Sequence, residues 1–157
     1  MKKLIIFLCT ALISFYGCTN LNSETNNILN CTTFLELLEE NDFNIVSIEE
    51  DEQRVSGFFN VPQKLVNIDN GQLAVYEFDS ISTMESHSGF VSKEGFSISR
   101  PDPPEQEDEW VTVQISWVSD PYWFKKDLLI VNYVGTDQRI INFLHENFKL
   151  FAGHGYQ

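Results

Sequence analysis

The sequence predicts an α+β domain: a mostly antiparallel sheet of about five strands built from hairpins, with two or three helices packed on it. Three observations predict this. The stretch WVTVQISWVSDPYWFKKDLLIVNYVG, from Trp110 to Gly135, first alternates apolar with polar residues and then turns almost wholly apolar, the patterns of a half-buried and a fully buried strand. The segment LVNID-NG-QLAVYEF carries a hairpin turn signal. Short helical patterns with capping residues lie between and after these segments. The resulting order is α β β β α β β α. From Leu73 onward, β α β β α matches most of a ferredoxin-like split unit, with Phe43 to Ile48 available as the missing strand.

At 157 residues one domain is expected, and 43% hydrophobic residues with thirteen phenylalanines suffice for a core without disulfides. The formal charge is −13, and it becomes −15 if residues 1–17 are lost, because they hold Lys2 and Lys3 and no acid. Such a field opposes nucleic-acid binding and serves an extracytoplasmic domain by keeping it soluble.

The N-terminus reads as a signal peptide, residues 1–17. Met1-Lys2-Lys3 is a basic n-region, and the run from Leu4 to Tyr16 is apolar except for Thr10 and Ser14. It is shorter than the ~20 residues that span a bilayer. Gly17-Cys18 matches the essential pair of a bacterial lipobox, so Cys18 is the expected lipidation site. Two or three acyl chains on one cysteine make a stable anchor. Residues 18–31 then form the lipidated cysteine and a polar, asparagine-rich tether, and 32–157 the globular domain. Cys9 leaves with the leader, which leaves Cys31 as a small apolar residue at the edge of the first helix and permits no disulfide within the domain.

In the domain, Thr33 and Glu36 have capping-box spacing, with Phe34, Leu37 and Leu38 as the apolar face of a short helix. Phe43 to Ile48 follows as a strand. Glu49 to Arg54 is a charged turn, and Gly57 to Pro62 is an apolar connection lying against the core. Asn70-Gly71 is expected to form a type I′ turn that pairs Ile68 with Leu73 and Val66 with Val75. Ser82 and Glu85 mark a weak second helix carrying Met84 and His87. Ser97 to Glu109, with three prolines and five carboxylates, is expected to be an exposed loop without the spacing of a calcium site. Thr136 caps a last helix in which Ile140, Ile141, Leu144 and Phe148 recur.

In the central segment, Trp110 to Trp117 and Leu128 to Val134 are expected to be partner strands, with Asn132 the one polar exception in the second. Asp120 to Asp127 between them is expected to be the connecting tip, broken by Pro121 and carrying three consecutive aromatics. An exposed tip would make Tyr122, Trp123, Phe124, Lys125 and Lys126 a binding contact, the aromatics beside an adjacent basic pair. The competing reading, in which the aromatics fold back over the sheet as core, carries more weight because large aromatics are mostly buried.

Four stretches, QLAVYEF, GFSI, ISWVSDPYWFKKDLLIVNYVG and the closing FAG, resemble a family of uncharacterised bacterial lipoproteins. The resemblance covers nearly all of the domain. It implies a cell-surface lipoprotein, brings no activity with it, and implies glycine where this chain has Asp127.

No HExxH, GxSxG or other catalytic, metal or cofactor motif is present, and the three histidines, His87, His145 and His154, have no nucleophile motif beside them. The expectation is therefore a lipid-anchored protein on the extracytoplasmic face of the cell membrane. It would act as a non-catalytic binding or regulatory module for an envelope ligand or protein, with no cofactor. An envelope enzyme whose site is assembled from distant residues is the alternative.

Overall fold

A computed structural model describes residues 28–51, 58–101 and 109–157. The expected leader, Cys18 and most of the tether lie outside the described residues, as do residues 52–54 of the charged turn and most of the proline-rich loop; residues 49–51, expected in that turn, are strand instead. The described order is α1 (Cys31–Glu40), β1 (Ile45–Asp51), β2 (Gln63–Ile68), β3 (Gly71–Glu77), α2 (Ile81–Ser88), β4 (Ser97–Pro101), β5 (Trp110–Gln114), β6 (Pro121–Lys126), β7 (Leu129–Val134), α3 (Gln138–Asn147) and β8 (Lys149–Gly153). Six strands form one antiparallel sheet in the order β1-β2-β3-β7-β6-β8, and β4 pairs with β5 in a separate two-stranded sheet. The α+β class is as expected.

The central segment differs from expectation. Residues 121–126 are not a tip but β6, an interior strand between β7 and β8. Pro121 is its first residue, where a missing N–H does not interrupt the ladder. The partner of β7 is therefore β6, through a two-residue turn at Asp127-Leu128, whereas Trp110–Gln114 pairs with Ser97–Pro101. That second pairing also makes the start of the expected proline-rich loop a strand.

The hairpin of β2 and β3 is present with its register moved by two residues. Ile68 lies opposite Gly71 and Val66 opposite Leu73, so Asp69 and Asn70 make the turn. Neither Asn70 nor Gly71 has positive φ. Gly71 answers to packing instead, since a Cβ there would lie 2.9 Å from Ile140 Cδ1 and 3.2 Å from Tyr133 Cε2. A shift of two leaves every side chain on its expected face.

Helix starts also move by a few residues. α1 is capped by Asn30, whose side chain accepts from Thr33 N–H while Asn30 N–H donates to Thr33 Oγ1, both at 3.0 Å. Ser80 caps α2 and Asp137 caps α3. Leu29 and Cys31 are buried in the core, so the fold begins before the expected boundary at residue 32.

Both faces of the sheet are covered. β3 and β6 run parallel with β7 between them, and β7 and β8 run parallel with β6 between them. The two crossovers step in the same direction across the sheet from strands that point opposite ways. With the same hand, they must pass over opposite faces. Accordingly α3, joined by α1, packs on one face over Val66, Leu73, Val75, Phe124 and Val131. α2, the loop at Phe58 and Phe59, and the β4–β5 pair cover the other over Tyr76, Trp123 and Ile130. The closing strand β8 lies beside β6 at the sheet edge, and a ferredoxin-like order is not what this sheet shows.

Trp123 is fully buried and within ring contact of Phe58, Phe59, Tyr76 and Trp117. Trp123→Ala should therefore lower unfolding stability in urea by about 3–5 kcal/mol. A change within about 0.5 kcal/mol would place the indole at the surface instead.

Candidate functional site

The fold gives the sheet two unlike ends. At one end lies the β6–β7 turn, where Asp127 adopts φ +51°, a conformation that favours glycine and that aspartate tolerates better than most residues. Asp127 thus occupies a glycine-type position, and its side chain adds a tie glycine lacks. Leu29 N–H donates to Asp127 Oδ2 at 2.9 Å, and Leu128 N–H donates to the Leu29 carbonyl at 3.3 Å. The chain from the N-terminus is thereby fastened to this end.

The expected aromatic contact is not at the surface. Trp123 and Phe124 are 0% exposed and Tyr122 is 6% exposed, divided between the two faces of the sheet. A strand covered on both sides buries consecutive aromatics, which is why the triplet follows no amphipathic period. Lys125 is committed internally: its ammonium pairs with the Glu85 carboxylate, donates to Ser88 Oγ at 3.0 Å and lies 5.5 Å from the centre of the Phe151 ring. Of the five expected contact residues only Lys126 is exposed.

The histidines are dispersed. His87 on α2 packs among Phe78 and Phe90 with Nδ1 2.8 Å from the Thr83 carbonyl, and His145 on α3, across the sheet, meets the edge of Phe124. His154 lies 3.7 Å from Asp120, both well exposed. Among the described residues no hydrogen bond joins a histidine to a serine, threonine or cysteine side chain. Among them, no three His, Cys, Asp or Glu side chains are grouped to hold a metal. Cys31 is buried, and desolvation, opposed by nearby Lys64, pushes its thiol pKa up, leaving little reactive thiolate.

The second feature is a groove of about 310 Å³ on the face carrying α2, running along the sheet from Gln63, level with Ile130, to Gln72 and Val134. Its floor is Gln63 and Leu65 of β2, Gln72 and Ala74 of β3, and Asn132 and Val134 of β7; its wall is Phe58, Trp117 and Val118. Trp117 is held by its Nε1–H, which donates to the Gly95 carbonyl at 2.8 Å, and by an edge contact with Phe58. Val118 is 100% exposed at the rim. Asn132, the polar exception in an otherwise apolar strand, is 4% exposed and belongs to this floor.

Two of the three carboxamides in the groove, Asn132 and Gln72, are oriented by their neighbours. Asn132 Nδ2 donates to the Tyr122 carbonyl at 3.2 Å, and that partner can only accept. Asn67 Nδ2 donates to Ser47 Oγ at 2.9 Å and to the Glu49 carboxylate at 3.0 Å, which presents Asn67 Oδ1 to Gln72 Nε2 at 2.8 Å. Gln63 Nε2 donates to Tyr76 Oη at 2.9 Å. Gln72 and Asn132 each direct an N–H to a protein acceptor and keep a carbonyl oxygen without a donor among the described residues, whereas the Gln63–Tyr76 pair can form in either sense because the phenol both donates and accepts. Among the described residues the groove lining therefore contains hydrogen-bond acceptors, aromatic surface and no ionisable side chain.

Comparison with known protein families, with curated proteins and with solved structures finds no match to this chain.

The tie at Asp127 has a direct readout. In the wild type the Leu29 amide should exchange slowly with solvent hydrogen. Asp127→Ala should raise that rate by about tenfold or more, the loss of one charge-assisted hydrogen bond, while exchange in β3 stays slow. Equal Leu29 protection in both proteins would show that the carboxylate does not hold the segment.

Proposed function

We propose that this chain is a membrane-anchored extracytoplasmic lipoprotein, a non-catalytic binding or regulatory module of the cell envelope. The observation that carries the reading is Gly17-Cys18 at the end of an apolar leader, followed by a polar tract that reaches the fold at Leu29. Among the described residues no helix is long and apolar enough to cross a membrane, and a lipid on Cys18 supplies the attachment in this reading.

The two ends of the sheet support a presenting role. Anchoring through Leu29 sets the β6–β7 turn toward the bilayer. β7 then leads away for six residues, about 17–20 Å, to Val134 at the groove. The dispersal of the histidines favours binding over catalysis, since general acid–base chemistry needs a donor and an acceptor converging on one atom.

The test is phase separation in a cloud-point detergent after expression with labelled palmitate in a bacterial host. The wild-type chain should carry the label and enter the detergent phase. Cys18→Ser should lose the label and enter the aqueous phase with its domain folded. Equal partitioning and no label on the wild type would overturn the anchor.

A further inference from the structure

We propose that the groove between the sheet and Trp117 is a binding site for a neutral saccharide. The proposal deepens the binding-module reading above and rests on it for biological context, although the site itself is argued from geometry. Its volume falls at the lower end of small-ligand clefts, roughly 300–1,000 Å³.

Charge excludes most other ligands. The chain carries 23 acidic side chains, yet among the described residues none of the nine that line the groove is ionisable. A cationic ligand would find no carboxylate to pair with among the described lining residues. An anionic one would place its oxygens against two carbonyl oxygens, Gln72 Oε1 and Asn132 Oδ1, inside a strongly negative protein. What these acceptors require is a ligand that supplies several uncharged donors.

Shape and surface select among such ligands. A pyranose ring carries hydroxyl donors around its edge and apolar C–H groups on its faces. The groove opposes an amide-bearing floor to an aromatic wall of Phe58 and Trp117. Trp117 is pre-positioned, its indole N–H committed to Gly95, so that its ring serves as surface and not as a donor. Asn132 is nearly buried in a central strand, with one hydrogen bond from its side chain among the described residues. A ligand hydroxyl reaching Asn132 Oδ1 would complete a buried amide that is otherwise under-used.

The test uses the full chain in a detergent without a sugar headgroup, titrated by calorimetry and tryptophan fluorescence with maltohexaose, cellohexaose and chitohexaose. At least one should bind saturably. Trp117→Ala should weaken that binding about tenfold or more, and Gln72→Ala, an exposed change that leaves the core intact, about threefold to tenfold. An oligoglucuronate, the gluco-configured ring with carboxylates, should not bind, nor should an oligogalacturonate. Absence of saturable binding by all three neutral sugars overturns the proposal, as does equal binding by either the oligoglucuronate or the oligogalacturonate. Affinity unchanged in Gln72→Ala and in a folded Trp117→Ala also overturns it. So does binding of a neutral alanine-glycine hexapeptide in place of the sugars. None of these outcomes touches the anchor, which is read separately by palmitate label and phase partition.

Discussion

The Gly95 carbonyl accepts from two indoles, Trp117 Nε1–H at 2.8 Å and Trp123 Nε1–H at 3.3 Å. Much of the face bearing α2 depends on this shared acceptor. Trp123 belongs to the central sheet, Trp117 to the groove wall, and Gly95 to the turn before β4. One oxygen thus joins the sheet, the two-stranded layer and the candidate site. Gly95 has φ +77°, and a Cβ there would lie 3.0 Å from both Trp123 Cδ1 and the Gly153 Cα, so backbone and ring approach more closely than a side chain would allow. Two buried or half-buried indole N–H groups find a partner without a water or a polar side chain between them.

From this contact the asymmetry of the domain follows. The face under α1 and α3 is roofed along β2, β3, β7 and β6, where Phe34 meets Phe148 edge-on and Ile140 closes over Gly71. The opposite face is roofed only as far as the Trp117 wall. Beyond it the sheet carries Asn67, Gln72, Ser47 and Glu49 in a hydrogen-bonded polar row. The groove is the margin between the dry and wet halves of one sheet face. Its position is thus a consequence of where the crossovers lie.

Periodicity made the class legible, as well as the existence of α1, β1, the β2–β3 hairpin, β7 and α3, and it assigned the faces of β2 and β3 correctly. It did not reveal β6. Tyr122-Trp123-Phe124 buries both faces, so it has no alternation, and Pro121 with two lysines imitated a loop. Register was lost at Gly71 because its glycine answers to Ile140 and Tyr133, more than sixty residues away, and not to turn geometry. Capping positions slipped because several Ser, Thr and Asn compete near each helix start, and only tertiary contact selects one. The groove was illegible as a unit, since its residues come from separate elements. Its single local trace was Asn132, a polar residue in a strand that has no other.

The central claim is that one carbonyl fixes both indoles and thereby the wall of the site. Hydrogen exchange of the indole N–H groups, followed by NMR, tests it most directly. The account predicts that Trp117 and Trp123 exchange slowly and that Gly95→Ala accelerates both together. Fast exchange of Trp117 in the wild type, or protection of both indoles unaltered by Gly95→Ala, would contradict it.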